Sequence, residues 1–219
     1  MRAKTFLLLS ALSATLAGCG TINNSLADKT TQIEYFRVYD IKTTASVSKL
    51  GKAASDGIGK DINDMQSAYP IDTSGDVPVK PGHMNLKNPF ANSALAAFTN
   101  NAGNIGFKIA TCDGAAWTST SQRDFNGSFG HSLTLCLFPY QGGYQLDMYG
   151  VLTEKSGIFH PDRYVSDALL GSPKQFMEKA FADTLTAIHQ NVPNAQIEFV
   201  RGEPQPGPLP WVSSTALGK

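Results

Sequence analysis

The chain is short of charge. Lys, Arg, Asp and Glu make up 16% of its 219 residues, against about 25% in an average soluble domain. Ser, Thr, Asn, Gln and Gly must therefore cover much of its surface. It also lacks charge of one sign: 18 basic residues stand against 18 acidic ones. No basic excess exists to draw it to nucleic acid or to an anionic surface. Histidine occurs four times, at His83, His131, His160 and His189, and never in HxxxH or HExxH spacing. That removes the usual way of placing two imidazoles on one helix face around zinc. Cysteine occurs three times, and Cys112 and Cys136 have no histidine pair near them, which excludes a zinc finger or ribbon. The one glycine cluster in a helical setting, "SDGIG" at Ser55–Gly59, lacks the GxxxxGK[ST] or GxGxxG spacing of a phosphate loop. No apolar run reaches the roughly 20 residues that a spanning helix requires. No cofactor motif is found.

Catalytic spacing is equally scarce. Ser128 in "NGSFGH" lies near His131, but a nucleophile elbow needs Gly two residues before and two after the serine. Gly130 satisfies the second position, while position 126 is Asn, so Asn126-Gly127 reads as a hairpin turn. Asp147, Glu154, Asp162 and Asp167 show no spacing that demands an acid–base pair and read as solvated surface. His160-Pro161-Asp162 reads as a helix start. Tyr140, Tyr144 and Tyr149 surround one hairpin and read as sheet-face packing rather than a carbohydrate platform.

What the chain does have is a distinctive start, "MRAKTFLLLSALSATLAGCG". Arg2 and Lys4 form a positive n-region. Thr5 to Leu16 form an apolar h-region, and small Ala17 and Gly18 precede Cys19. This is the layout of a secretory signal rather than of a membrane span. The ending "LAGC", Leu16 to Cys19, resembles the lipobox of bacterial lipoproteins. The resemblance covers residues 1–20 only. It implies that the Cys19 thiol takes a diacylglycerol, that cleavage exposes the Cys19 amine, and that the amine is then acylated. One acyl chain binds a bilayer marginally, whereas several anchor a protein stably. In that class, Asp after the cysteine favours retention in the inner membrane. Gly20 stands there instead, which implies the periplasmic face of the outer membrane, with the inner membrane as the alternative. Residues 1–18 carry Arg2 and Lys4 and no acid, so the remainder has 16 basic and 18 acidic residues, a net of −2.

The expected organisation is a signal peptide over 1–18, a lipid-anchored tether over 19–30, one domain over 31–201 and a Pro-rich extended tail over 202–219. "QIEYFRVYDIK", Gln32–Lys42, alternates. Ile33, Tyr35, Tyr39 and Ile41 lie on one side, Phe36 and Val38 on the other, which predicts an inner strand. Steps of three and four through Val47, Leu50, Ala54, Ile58, Ile62 and Met65 predict a helix over 45–66, capped by Thr43 or Thr44. Gly51, Gly57 and Gly59 argue against it, unless they let it pack close to a sheet or mark a break near Gly57. Residues 67–92, with four prolines, read as an irregular insertion. "NSALAAFTNNAG", Asn92–Gly103, reads as a short helix.

Four β-runs follow, punctuated by Asp113-Gly114, Asn126-Gly127 and Gly142-Gly143. The simplest reading is a four-strand meander. Asp162–Leu170 reads as a short helix. Ser172, Pro173 and Gln175 form a capping box for a helix whose stripe is Phe176, Met177, Ala180, Phe181, Thr184, Leu185 and Ile188, ending before Pro193. "AQIEFV" is a last strand. Strands in a run with helices outside it predict an α+β fold: an antiparallel sheet of five to six strands with helices on one face.

Cys112 and Cys136 pull in two directions. Export makes a disulfide the default. In the meander, however, strand 116–125 separates them by about 9.6 Å, twice the strand spacing, and a disulfide needs Cα atoms within about 7 Å. The compartment favours the bond, with 113–131 as an excursion. In the tail, prolines 204, 206, 208 and 210 exclude helix and ladder. Trp211 is then expected either to fold back on its own domain or to anchor a partner protein.

These features together predict a non-enzymatic lipoprotein, held to the membrane by acyl chains on Cys19, that serves as an envelope interaction or assembly module. By architecture alone, with no shared motif, the helix-on-sheet layout resembles accessory lipoproteins of outer-membrane assembly machinery. The alternatives are a periplasmic carrier of a small apolar ligand or lipid, which needs an apolar cavity between sheet and helices, and a hydrolase, which needs convergent polar groups in a cleft.

Overall fold

The computed structural model describes residues 29–70, 76–88, 108–125, 129–156 and 173–214. The signal segment, Cys19, most of the tether, the expected helices at 92–103 and 162–170, the Asn126-Gly127 turn and the Ser172 cap lie outside these residues.

The fold is α+β. Strand β1 (Lys29–Lys42) pairs antiparallel with β7 (Gly143–Ser156) on one side and with β8 (Gln196–Glu203) on the other. It is therefore the inner strand that its two-sided pattern predicts. Strands β5 (Trp117–Phe125), β6 (Phe129–Tyr140) and β7 form a meander. Strand β2 (Gln66–Ala68) pairs antiparallel with β5 at one edge, and β9 (Val212–Ser214) lies parallel to β8 at the other. The order is β2-β5-β6-β7-β1-β8-β9. Among the described residues the sheet thus has seven strands and is mixed, where five to six antiparallel strands are expected from sequence. The extra strands are three-residue edges, too short to leave a periodic signal.

Two helices, α1 (Val47–Ile58) and α2 (Pro173–Asn191), cover one face. The predicted stripe of α2 is buried throughout. Helix α1 is shorter than predicted. Ser46 caps it, its hydroxyl accepting from the Lys49 N–H at 3.4 Å. The helix stops before Gly59, where Lys60 N–H donates to the Gly57 carbonyl. The apolar rhythm outlasts it because the turn after Ile58 carries Ile62 into the same core. All three glycines mark close approaches, Gly59 to the Ser55 carbonyl one turn back, 2.9 Å from where its Cβ would stand. A Cβ on Gly51 would stand 2.8 Å from the Trp117 ring, and one on Gly57 would stand 2.6 Å from the Asp183 carbonyl of α2.

The opposite face carries a second small core of Met84, Ala115, Cys136, Phe138 and Tyr149. Packed against it is a two-stranded sheet of β3 (Asn85–Lys87) and β4 (Ile109–Thr111). The run through Ile109 is therefore not the first strand of a four-strand meander. It belongs to this second layer, and the Asp113-Gly114 turn passes the chain from there into β5 (Gly114 φ 87°). This arrangement removes the conflict over the cysteines. Cys112 approaches Cys136 from the second layer rather than along the plane of the sheet, and the two form a disulfide with Cα atoms 5.7 Å apart. No separate excursion over 113–131 is needed.

The tail expectation is corrected as well. Prolines 204, 206, 208 and 210 do hold residues 204–210 out of the ladder. Beyond them the chain rejoins the sheet, with Ile197 opposite Val212 and Phe199 opposite Ser214. Leu209 and Val212 pack on the main core. The apolar residues after the prolines gain more by burial than by remaining in water.

Candidate functional site

Three polar clusters stand out among the described residues. The first lies where the turn after α1 covers β5. The Ser121 hydroxyl donates to Asp64 Oδ1 at 2.7 Å and lies 2.8 Å from His131 Nε2. A serine, a histidine and an aspartate therefore meet, yet the protons run against nucleophilic catalysis. The single Ser121 hydrogen goes to Asp64, so His131 Nε2 is the donor to the Ser121 oxygen. Burial lowers the His131 pKa; Asp64 opposes this and Arg123 adds to it. The Asp64 pKa is lowered chiefly by the Ser121 hydrogen bond, which makes Asp64 a weak base. Ser121 and His131 are both buried. The cluster fixes the 59–65 turn onto the sheet. Neighbouring serines extend this polar seam, with Ser67 Oγ 2.9 Å from Ser119 Oγ.

The second cluster faces the other layer. Asp147 is fully buried and accepts from the Met84 N–H and from Gln145 Nε2, both at 2.8 Å. Burial raises its pKa. Reading Asp147 as surface is thus incorrect: it pins the 82–84 segment to the sheet.

The third cluster is a cleft of about 270 Å³ between α2, β1 and the tail. Arg37 and Tyr39 supply its sheet side, Glu178 and Phe181 its helix side, and Pro206–Leu209 its tail side. The Arg37 side chain has no exposed surface, and its Nη2 donates to Glu178 Oε1 at 2.8 Å. Nη1 donates to the Phe36 carbonyl at 3.3 Å, and Nε has no acceptor of good geometry among the described residues. Burial pushes the Tyr39 hydroxyl up to about 12, with the Arg37 charge opposing. Nearby, Lys179 bridges Asp61 at 2.6 Å and Asp183.

Sequence reasoning missed Arg37, although a signal was available. It occupies the gap in the inward series Ile33, Tyr35, Tyr39, Ile41. A charge in the apolar register of an inner strand must find a partner across the core.

The other predicted positions are dispersed. Trp211 stacks on His189 of α2, ring centroids 5.1 Å apart and planes within 10°. The three tyrosines part company. The Tyr140 hydroxyl donates to Asp40 at 2.6 Å, Tyr144 reaches the Ala45 carbonyl from the helix side, and Tyr149 lies in the second core. Ser128, His160, Asp162 and Asp167 lie outside the described residues. Among the described residues no three His, Cys, Asp or Glu side chains gather as metal ligands do. No described helix is long and apolar enough to cross a membrane.

No family model matches the chain, and no curated protein matches it. Among solved structures, it is similar to an uncharacterised protein from Rhizobium leguminosarum at 10% identity, over 75% of this chain and 97% of that one, with a TM-score of 0.30. It is also similar to the di-domain ARO/CYC StfQ of the steffimycin biosynthetic pathway at 11% identity, over 88% and 60% of the two chains, TM-score 0.28. A third similarity, to Ara h 8.0201, is at 15% identity over 75% and 100%, TM-score 0.24. All three TM-scores are too low to carry an argument about fold or function.

Proposed function

We propose that the protein is a non-enzymatic, lipid-anchored lipoprotein of the bacterial envelope. Cys19 holds it to the periplasmic face of the outer membrane, and the α+β domain acts there as an interaction or assembly module. The observation that carries this reading is "LAGC" at the end of a signal-like run, with Gly rather than Asp at position 20. Two features agree with it. A disulfide between Cys112 and Cys136 suits an oxidising compartment. The hydrogen bonds at Ser121, where Ser, His and Asp meet, suit a structural role better than a nucleophile. Metabolic labelling with radioactive palmitate tests the anchor. The wild-type chain is expected to take up label and Cys19→Ala to take up none. Label retained by Cys19→Ala contradicts the reading.

A further inference from the structure

We propose that the stack of Trp211 on His189 is a pH-sensitive clasp: it closes the proline strap over α2 and the edge of β8, and it tightens when His189 takes up a proton. The inference rests on the tail and not on membrane attachment.

The strap follows one stripe of α2. Pro206–Leu209 line the cleft opposite Glu178, Ala182 and Leu185, and steps of four, three and four carry that stripe on to His189. Trp211 meets it there, ring centroids 5.1 Å apart and planes within 10°. The rest of the strap is lightly held. Prolines 204, 206, 208 and 210 have no N–H to donate. Leu209 and Val212 are only partly buried, and β9 adds three residues of parallel pairing, the less stable kind. The Trp211 indole N–H has no acceptor of good geometry among the described residues, so stacking rather than a hydrogen bond orients the ring. Opening of the strap bares the β8 edge at Ile197–Phe199, which β9 otherwise pairs.

Charge sets the strength of the stack. Imidazole is the side chain whose charge changes between pH 5 and pH 8. A neutral ring offers the indole dispersion and packing, whereas an imidazolium adds cation–π attraction. His189 also stands in the last turn of α2, where the helix dipole favours a cation. It is exposed, so its charge keeps water. The other charges face elsewhere. Three and four residues from His189 along the chain stand Leu185, Thr186, Val192 and Pro193. The strap and β9, Pro204–Ser214, hold no titratable side chain. Strand β8 turns Ile197 and Phe199 to this side of the sheet. Glu178 and Lys179 line the cleft, about 15 Å down the helix axis. Glu178 is paired with Arg37, and Lys179 with Asp61 and Asp183. Helix α1 meets the opposite side of α2, at Asp183, Thr184 and Ala187. Protonation of His189 is therefore the charge change that this contact reads, and acid favours the closed strap.

The test uses the full mature chain in detergent and reads amide hydrogen exchange at pH 5.5 and pH 7.5, each corrected for the intrinsic rate. The reporting amides are Leu209 and Trp211–Ser214. In wild type the strap is expected to open about fivefold less often at pH 5.5 than at pH 7.5. His189→Phe keeps an aromatic ring on Trp211 but cannot titrate, and it is expected to abolish that difference. His131 and Asp147 are common to both chains, so the contrast between them reads His189. His189→Lys places a permanent cation at the ring and is expected to hold the strap equally at both pH values. The proposal is overturned if wild-type strap protection does not rise in acid, or if His189→Phe keeps the difference. Should His189→Phe leave the strap unprotected at both pH values, His189→Lys decides, and a strap that still responds to pH in that variant overturns the proposal. None of these failures touches acylation at Cys19, which palmitate labelling reads separately.

Discussion

A methyl group on Gly57 of α1 would stand 2.6 Å from the carbonyl oxygen of Asp183 in α2. Real Cβ atoms do not come so close to backbone, so the two helices cross at a distance that only glycine allows. On an exposed helix surface, Gly→Ala stabilises by about 1 kcal/mol. Here overpacking reverses the sign, and Gly57→Ala is expected to destabilise by about 2 kcal/mol. Urea denaturation of the variant beside wild type checks this. A gain in stability would mean that the crossing can relax.

Arg37 and Glu178 form an ion pair with unequal burial, Arg37 fully buried and Glu178 27% exposed. Removing one partner of a buried pair is costly, whereas replacing both by apolar groups is often neutral. Glu178→Ala leaves a buried cation uncompensated and is expected to cost about 3 kcal/mol. The double variant Arg37→Met/Glu178→Ala is expected to recover most of that loss. A double variant as unstable as Glu178→Ala would contradict this account of the pair.

Burial lowers the pKa of His131 from its usual 6.5. Its folded-state value is depressed, so the unfolded chain takes up the proton first. The stability this histidine confers is complete above pH 6.5 and is lost as pH falls from there to its lower folded value. His131→Gln keeps a donor for Ser121 and is expected to flatten the acid side of the stability curve just below pH 6.5. Asp64, whose pKa is lowered by Ser121, acts in a separate window: its contribution is lost only as pH falls below 3.8. The difference in unfolding free energy between wild type and variant, measured between pH 5 and pH 8, reads His131, because Asp147, whose pKa burial raises, is common to both. An unchanged slope in the variant contradicts the assignment.

The tail links stability to the cleft. Truncation after Gly202 removes β9, the Trp211–His189 stack and the proline wall. The melting temperature is expected to fall by several degrees, with crosslinked partners unchanged. An unchanged melting curve with lost crosslinks would instead give Trp211 the partner-anchoring role.

Much of this architecture was legible where periodicity was long. The inner strand around Tyr35, the buried stripe of α2 and the β5–β6–β7 meander all follow from spacing. Edges were not legible, because three-residue strands such as Gln66–Ala68 and Val212–Ser214 are too short to show a period and are set by tertiary pairing. Layers were not legible either. Nothing local distinguishes a β-run that extends a sheet from one that crosses it, and the conflict over Cys112 and Cys136 arose from that ambiguity. At the cleft, Pro206 and Leu209 are distant in sequence from Arg37. Composition could mark the tail as extended but not say what it would lie against.

The central claim is attachment through Cys19, and cell fractionation of wild type beside Cys19→Ala tests it most directly. The account predicts wild type in the outer-membrane fraction, with a triacylated N-terminal peptide by mass spectrometry, and Cys19→Ala in the soluble periplasmic fraction. A Cys19→Ala chain that still fractionates wholly with membranes would contradict the account.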